Sequence, residues 1–322
     1  MTGLRPLEYR RPMRALGIVL ALLLTLVVCA AAVAEPVQEF GFQIRDVTPD
    51  GHYGVVFSSN SYDTTGAQPP ALVSNSVRFA AGISFLPQFL RRSALCDAQK
   101  LRDTLRAYPE PRVQYGDQVK HLPATLQRLR SKLRPAQLRL LRTCVAAREG
   151  TGRVTVDARP FFNDPIPADL YLFLSTPTVK GAFASFGVLV VPDRSSPVVR
   201  DSTLLQDQRF VVAANLFNDP SSDGVYGYRL LLPPGNIDGL KFSVAELRVN
   251  NPGMTRVERK VTCLQRRGGR CVRRKVTRKT LWWATPPTCP ASGLLQFEAT
   301  YAYETGLTTT KLLKVPCPQF RR

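Results

Sequence analysis

Two histidines, His52 and His121, bound the acid–base chemistry open to this chain. A Ser-His-Asp arrangement would have to use one of them, and the sequence places no partner beside either, so both read as ordinary loop or surface residues. No serine lies in a G-x-S-x-G turn, and neither a Walker loop nor H-E-x-x-H occurs. A glycosidase holds two carboxylates about 5–10 Å apart. Asp157, Asp164, Asp169 and Glu246 are available, but linear order does not pair them. Asn218-Asp219-Pro220-Ser221-Ser222-Asp223-Gly224 offers oxygen ligands with too few acids for a known calcium loop, and reads as a plain turn.

The cysteines carry a firmer signal. Cys29 lies in the apolar N-terminal run; the others are Cys96, Cys144, Cys263, Cys271, Cys289 and Cys317. Six cysteines allow fifteen pairings in principle. Proximity and context favour Cys96–Cys144, Cys263–Cys271 and Cys289–Cys317, each closing a loop worth roughly 2.5–4 kcal/mol in the chain-entropy model. Zinc is the rival reading, but there is no C-x2-C pair and histidine is scarce. A catalytic thiol would need a nearby base, and none is evident. Neither a metal nor a cofactor is expected.

Charge provides the one positive binding signal. The chain carries +20. Between Arg256 and Lys279 eleven Lys/Arg residues stand against Glu258. The centre of that run is Cys263-Leu264-Gln265-Arg266-Arg267-Gly268-Gly269-Arg270-Cys271, and Gly268-Gly269 suits the positive φ angles of a tight hairpin turn. Arms from Val257 to Cys263 and from Cys271 to Trp283 are β-prone, so a disulfide would staple a basic hairpin. Arg266, Arg267, Arg270, Arg273, Arg274, Lys275 and Arg278 are the candidate anion contacts. A solvated, merely Arg-rich hairpin is the competing reading. Nucleic acid ranks below an anionic wall polymer or membrane surface, because no aromatics interleave with the charges and no reader motif appears. No small-molecule ligand is identifiable.

These residues must be positioned by a mainly β framework. Residues 35–92 read as an N-terminal β segment, with Gly51–Phe57 and Ser74–Phe79 as candidate strands and Thr64–Pro70 as a loop. Residues 93–149 read as a helical insertion. Ser93 could cap a helix through Leu95, Leu101 and Leu105. A loop around Pro109, Pro111 and Gly116 follows. Leu122, Leu126, Leu129 and Leu133 then fall at helical spacing, with Arg128, Arg130, Lys132 and Arg134 on the solvated side, and Pro135 starts a further helix carrying Leu138, Leu141 and Val145. Cys96 and Cys144 would tie the insertion shut.

Residues 150–255 form a β-rich core with candidate strands at Arg153–Ala158, Leu170–Leu174, Gly187–Val191, Phe210–Ala214 and Leu240–Val244. Residues 256–322 add the basic hairpin and a C-terminal pair, Leu294–Tyr303 and Leu307–Val315, in which Phe297, Ala299, Tyr301 and Tyr303 share one face. The expected fold is mainly β and sandwich-like, with the helical insertion and the disulfide-stapled hairpin attached.

The N-terminus predicts export. Arg5, Arg10, Arg11 and Arg14 precede an uncharged run from Ala15 to Ala34, which ends in Ala32-Val33-Ala34. A basic segment, an apolar segment and a small-x-small ending make a signal peptide, with Glu35 as the mature N-terminus. Its removal takes four Arg and one Glu and leaves +17. An uncleaved anchor is the alternative, since about 20 apolar residues can span a bilayer. Val28 before Cys29 breaks the lipoprotein pattern, and Pro12 and Arg14 fit a twin-arginine signal poorly.

The end of the chain, from Thr285-Pro286-Pro287-Thr288-Cys289 through two strands and the Gly306 turn to Pro316-Cys317, resembles the C-terminal module of uncharacterised exported β-rich proteins of actinobacteria. Thr65-Gly66-Ala67-Gln68-Pro69 resembles their Ala-Gly-Ala-His-Pro segment. Cys96 before a helix and Cys144 before Gly150-Thr151-Gly152 match more loosely. The longer basic insertion and the Cys263–Cys271 hairpin depart from that pattern. The resemblance implies secretion and a β-rich fold, and no activity. The expected function is therefore a non-catalytic binding or structural role at the cell envelope; the alternative is a secreted hydrolase, carbohydrate-active or other, whose site the sequence does not reveal.

Overall fold

A computed structural model describes residues 36–45, 54–85, 95–159, 161–206, 208–232, 236–237, 240–241, 243–251, 255–282, 284–285 and 288–318. At 84–85, 236–237, 240–241, 251, 255–260, 278–282 and 284–285 it describes the backbone alone. The N-terminal segment expected to be a signal peptide, His52, Ser93 and Trp283 lie outside the described residues.

Eleven strands form one antiparallel sheet. In chain order these are β1 (Val37–Arg45), β2 (Gly54–Tyr62), β3 (Leu72–Ala80), β5 (Arg148–Asp157), β6 (Ile166–Ser175), β7 (Ala184–Pro192), β8 (Phe210–Asn218), β9 (Tyr226–Leu232), β12 (Ser243–Asn251), β16 (Leu294–Tyr303) and β17 (Thr308–Pro316). Their order across the sheet is β1-β2-β12-β5-β6-β7-β8-β9-β3-β16-β17. Short pairs lie apart from it: β4 (Ser84–Phe85) with β15 (Ala284–Thr285), and β10 (Asn236–Ile237) with β11 (Leu240–Lys241).

The sheet curls until its edge strands β1 and β17 lie against each other. Its two ends thus face one another in a sandwich-like arrangement. Phe42 of β1 stacks on Phe297 of β16 with ring centroids 4.1 Å apart, and Phe79 meets both rings edge-on. Phe297, Ala299, Tyr301 and Tyr303 all fall on the buried face of β16, as their alternation predicts. A polar seam crosses this core. The Tyr303 hydroxyl donates to Gln38 Oε1 at 3.0 Å, Gln38 Nε2 donates to Ser59 Oγ at 2.8 Å, and Ser59 Oγ lies 3.2 Å from the Tyr301 hydroxyl. A buried polar side chain is costly unless paired, so this chain of bonds is what lets Gln38 and both phenols sit inside.

The helical insertion covers the outer face of β6, β7 and β8. It consists of α1 (Ala98–Ala107), α2 (Tyr115–Lys120), α3 (Leu122–Leu129) and α4 (Pro135–Ala147). The run Leu170-Tyr171-Leu172-Phe173-Leu174 explains the docking. Tyr171 and Phe173 face the helices, while Leu170 and Leu172 pack on the opposite side with Val154 and Val249. A strand apolar on both faces is one covered on both sides. The Cys96 amide donates to the Leu174 carbonyl at 2.8 Å and the Tyr171 hydroxyl donates to the Gly116 carbonyl at 3.0 Å.

The helices differ from expectation in three places. The first helix starts at Ala98, with Leu95 ahead of it, because Asp97 caps it: its carboxylate accepts from the Lys100 amide at 3.0 Å. Gly116, expected in a loop, lies inside α2, and the leucine stripe ends at Leu129, with Leu133 in the turn before Pro135. The short turns α5 (Pro197–Arg200) and α6 (Thr203–Gln206) complete the helices among the described residues.

All three expected disulfides are closed. Cys96–Cys144 spans 48 residues, Cys263–Cys271 spans 8 and Cys289–Cys317 spans 28. Three such bridges belong to an oxidising, extracellular-type environment. Among the described residues, no helix is long and apolar enough to cross a membrane.

Candidate functional site

The basic segment folds as the two-stranded ribbon β13 (Thr255–Arg267) and β14 (Arg270–Trp282), whose strands pair, among the described residues, with each other alone. Gly268 and Gly269 turn the chain at φ 56° and 78°, a conformation that costs an L side chain more than glycine. Each arm has 13 residues and extends about 43 Å at ~3.3 Å per residue; the first is longer than the Val257–Cys263 arm read from the sequence, and the second matches the Cys271–Trp283 arm in length but begins one residue earlier.

From Val261 to Thr277 the ribbon is open on both faces. Successive strand residues point to opposite sides, yet every one of them is exposed except the half-buried Cys263 and Cys271. Arg266, Arg267, Arg270, Arg273, Arg274 and Lys275 are all exposed, and no acid interrupts them. Among the described residues none of the six has an ion-pair partner. The backbone at Arg278 is part of β14, but its side chain lies outside the described residues. The Cys263–Cys271 bridge joins the arms near the tip with Cα atoms 5.7 Å apart.

Sequence reasoning missed the aliphatic part of the ribbon. Val261, Leu264, Val272 and Val276 are exposed by 57, 54, 57 and 53%. Val261 and Val276 face each other across the arms, whereas Leu264 and Val272 are the two residues that the strand register skips. The β-prone character of both arms was visible in the sequence. That nothing would cover them was not.

A second polar feature lies where α2 meets β6 and β7. A cleft of about 150 Å3 is lined in part by Tyr115, Asp117, Lys120, Asp169, Asp193 and Arg209. Arg153 reaches two of its acids, with Nη2 2.6 Å from Asp193 Oδ2 and Nε 3.7 Å from Asp169 Oδ1. Partial burial holds the Asp169 carboxyl above its ordinary value, with the Arg153 guanidinium acting against that shift. Burial works the same way on Asp193, but hydrogen bonds from Ser195 and the nearby Arg153 outweigh it and hold this carboxyl low. Opposite shifts in neighbouring acids are the pattern of an acid/base pair. The cleft is nevertheless smaller than the roughly 300–1,000 Å3 of small-molecule sites.

The other sequence candidates are engaged structurally or stand apart. Asp157 is buried and paired with Arg159. Asp164 is exposed in the turn after β5, and Glu246 lies in β12. In the 218–224 turn, Asp219 is held by Arg78 and Arg229, while Asp223 accepts from Ser221 and the Val225 amide. His121 is exposed at the junction of α2 and α3. Among the described residues no three His, Cys, Asp or Glu side chains gather as a metal site.

The chain matches no protein-family model, no curated protein and no solved structure.

Proposed function

We propose that this chain is an exported, non-catalytic binding or structural protein of the cell envelope that contacts an anionic surface through the β13–β14 ribbon. The observation that carries this reading is the ribbon's isolation. Six cations with no acid among them extend on an element that, among the described residues, pairs with no other strand, so they contribute little to holding the fold together. Clustered cations on a projecting element raise the local concentration of polyanions and of anionic head groups. The three disulfides, the N-terminal segment and the C-terminal resemblance to exported actinobacterial proteins support export. Outside the cell, wall polymers and lipid head groups are the abundant anions.

The test uses the protein as the cell exports it. Its binding to envelope material should fall steeply between low and high salt, and should be lost on replacing Arg266, Arg267, Arg270, Arg273, Arg274 and Lys275 with Gln. Binding unchanged in both comparisons overturns the reading. Sequencing the mature N-terminus checks the Ala34–Glu35 cut.

A secreted hydrolase is the second reading, favoured by the opposed shifts of Asp169 and Asp193 beside Arg153. Release of reducing sugar from envelope polysaccharide by the purified protein, abolished in both Asp169→Asn and Asp193→Asn, would put it first.

A further inference from the structure

We propose that the partner of the ribbon is an anionic lipid bilayer, entered only to interfacial depth; this rests on the anionic-surface reading and narrows it to one occupant. A polyanion in water needs cations alone. The ribbon also holds Val261, Leu264, Val272 and Val276 out in solvent, each more than half exposed, among its six cations. Exposed aliphatics without cover are unfavourable in water and favourable in contact with acyl chains. Interleaved arginines match the lipid phosphates, since a guanidinium can donate two parallel hydrogen bonds to one phosphate.

The same geometry sets the depth. A two-stranded ribbon has unpaired backbone N–H and C=O groups along both outer edges, and such groups are not tolerated in the hydrocarbon core. The ribbon therefore lies in the head-group region, with its aliphatic side chains reaching the acyl boundary and its edges solvated. The Cys263–Cys271 bridge and the Gly268-Gly269 turn pre-organise the tip, so little ordering accompanies binding.

The experiment compares the exported protein with two variants. One is the six-fold Gln replacement of the cations; the other is V261T/L264Q/V272T/V276T. Each is incubated with phosphatidylcholine vesicles, with vesicles containing about one-third phosphatidylglycerol, with polyphosphate and with duplex DNA. Co-sedimentation reports on vesicles and fluorescence anisotropy on the polymers, at one ionic strength. The thermal unfolding midpoint of each variant should match the parent, because among the described residues the ribbon pairs with no strand of the body.

We expect binding to phosphatidylglycerol vesicles to weaken at least about tenfold in either variant, and polyphosphate binding to weaken only in the charge variant. Vesicle binding unchanged in the aliphatic variant, but lost in the charge variant, overturns the bilayer assignment and leaves the anionic-surface reading standing. Tighter binding of the parent to polyphosphate or DNA than to anionic vesicles also overturns it. Unchanged binding of the charge variant to every probe overturns the underlying reading itself.

Discussion

Phe42 and Phe297 stack at 4.1 Å with their ring planes 26° apart, joining the first strand of the sheet to its penultimate one. This contact is where the curled sheet meets itself. Phe297 is fully buried and Phe42 nearly so. Phe297→Ala should destabilise the protein by about 3–5 kcal/mol, read as a lowered urea midpoint. A double-mutant cycle with Phe42→Ala should give a coupling of about 0.5–1.5 kcal/mol, the part specific to the ring pair.

The disulfides should separate the ribbon from the body. Replacing Cys96 and Cys144 with Ser opens a 48-residue loop and should cost about 4 kcal/mol in the chain-entropy model, lowering the global unfolding midpoint. Replacing Cys263 and Cys271 should leave that midpoint within about 0.5 kcal/mol, because among the described residues the ribbon's strands pair only with each other. Its effect should appear as faster amide exchange confined to β13 and β14.

Alkali should unfold the core through Tyr301. Burial pushes its phenol from 10.0 up to about 12, with the Ser59 hydrogen bond acting against that shift. The folded state thus favours the neutral phenol. Its contribution is intact below pH 10 and is lost as pH rises from 10 to 12, on the order of 2–3 kcal/mol in all. Tyr301→Phe should flatten the fall in stability over that window, measured by urea unfolding at each pH.

Gly187 sets how closely the insertion approaches the sheet. An added Cβ there would stand 2.7 Å from the Ala98 Cβ of α1. Gly187→Val should cost about 1–3 kcal/mol by overpacking, and Ala98→Gly in the same chain should restore part of it. Paired thermal melts would show the rescue.

Much of this fold was legible because local patterning and final environment agree. The alternation through Phe297, Ala299, Tyr301 and Tyr303 identified a half-buried strand, and Tyr301 and Tyr303 now anchor the polar seam. The Gly268-Gly269 turn between cysteines identified the ribbon. Gly116 was misread because a glycine near two prolines signals a loop, while its helix is held by a contact 55 residues away, from the Tyr171 hydroxyl.

The sequence by itself determined the cysteine framework, the strand-rich class, the helical insertion and the cationic run, since each depends on residue type and short-range spacing. Tertiary structure alone decided that eleven strands form one sheet folded onto itself, because such pairing depends on contacts hundreds of residues apart, such as Gln38 with Tyr303. It also decided that Arg153 gathers Asp169 and Asp193, since they stand on adjoining strands or at their ends. Finally, it turned the charge run into a candidate site. Burial depends on what the rest of the chain covers, and the rest of the chain leaves Val261, Leu264, Val272 and Val276 exposed among the arginines.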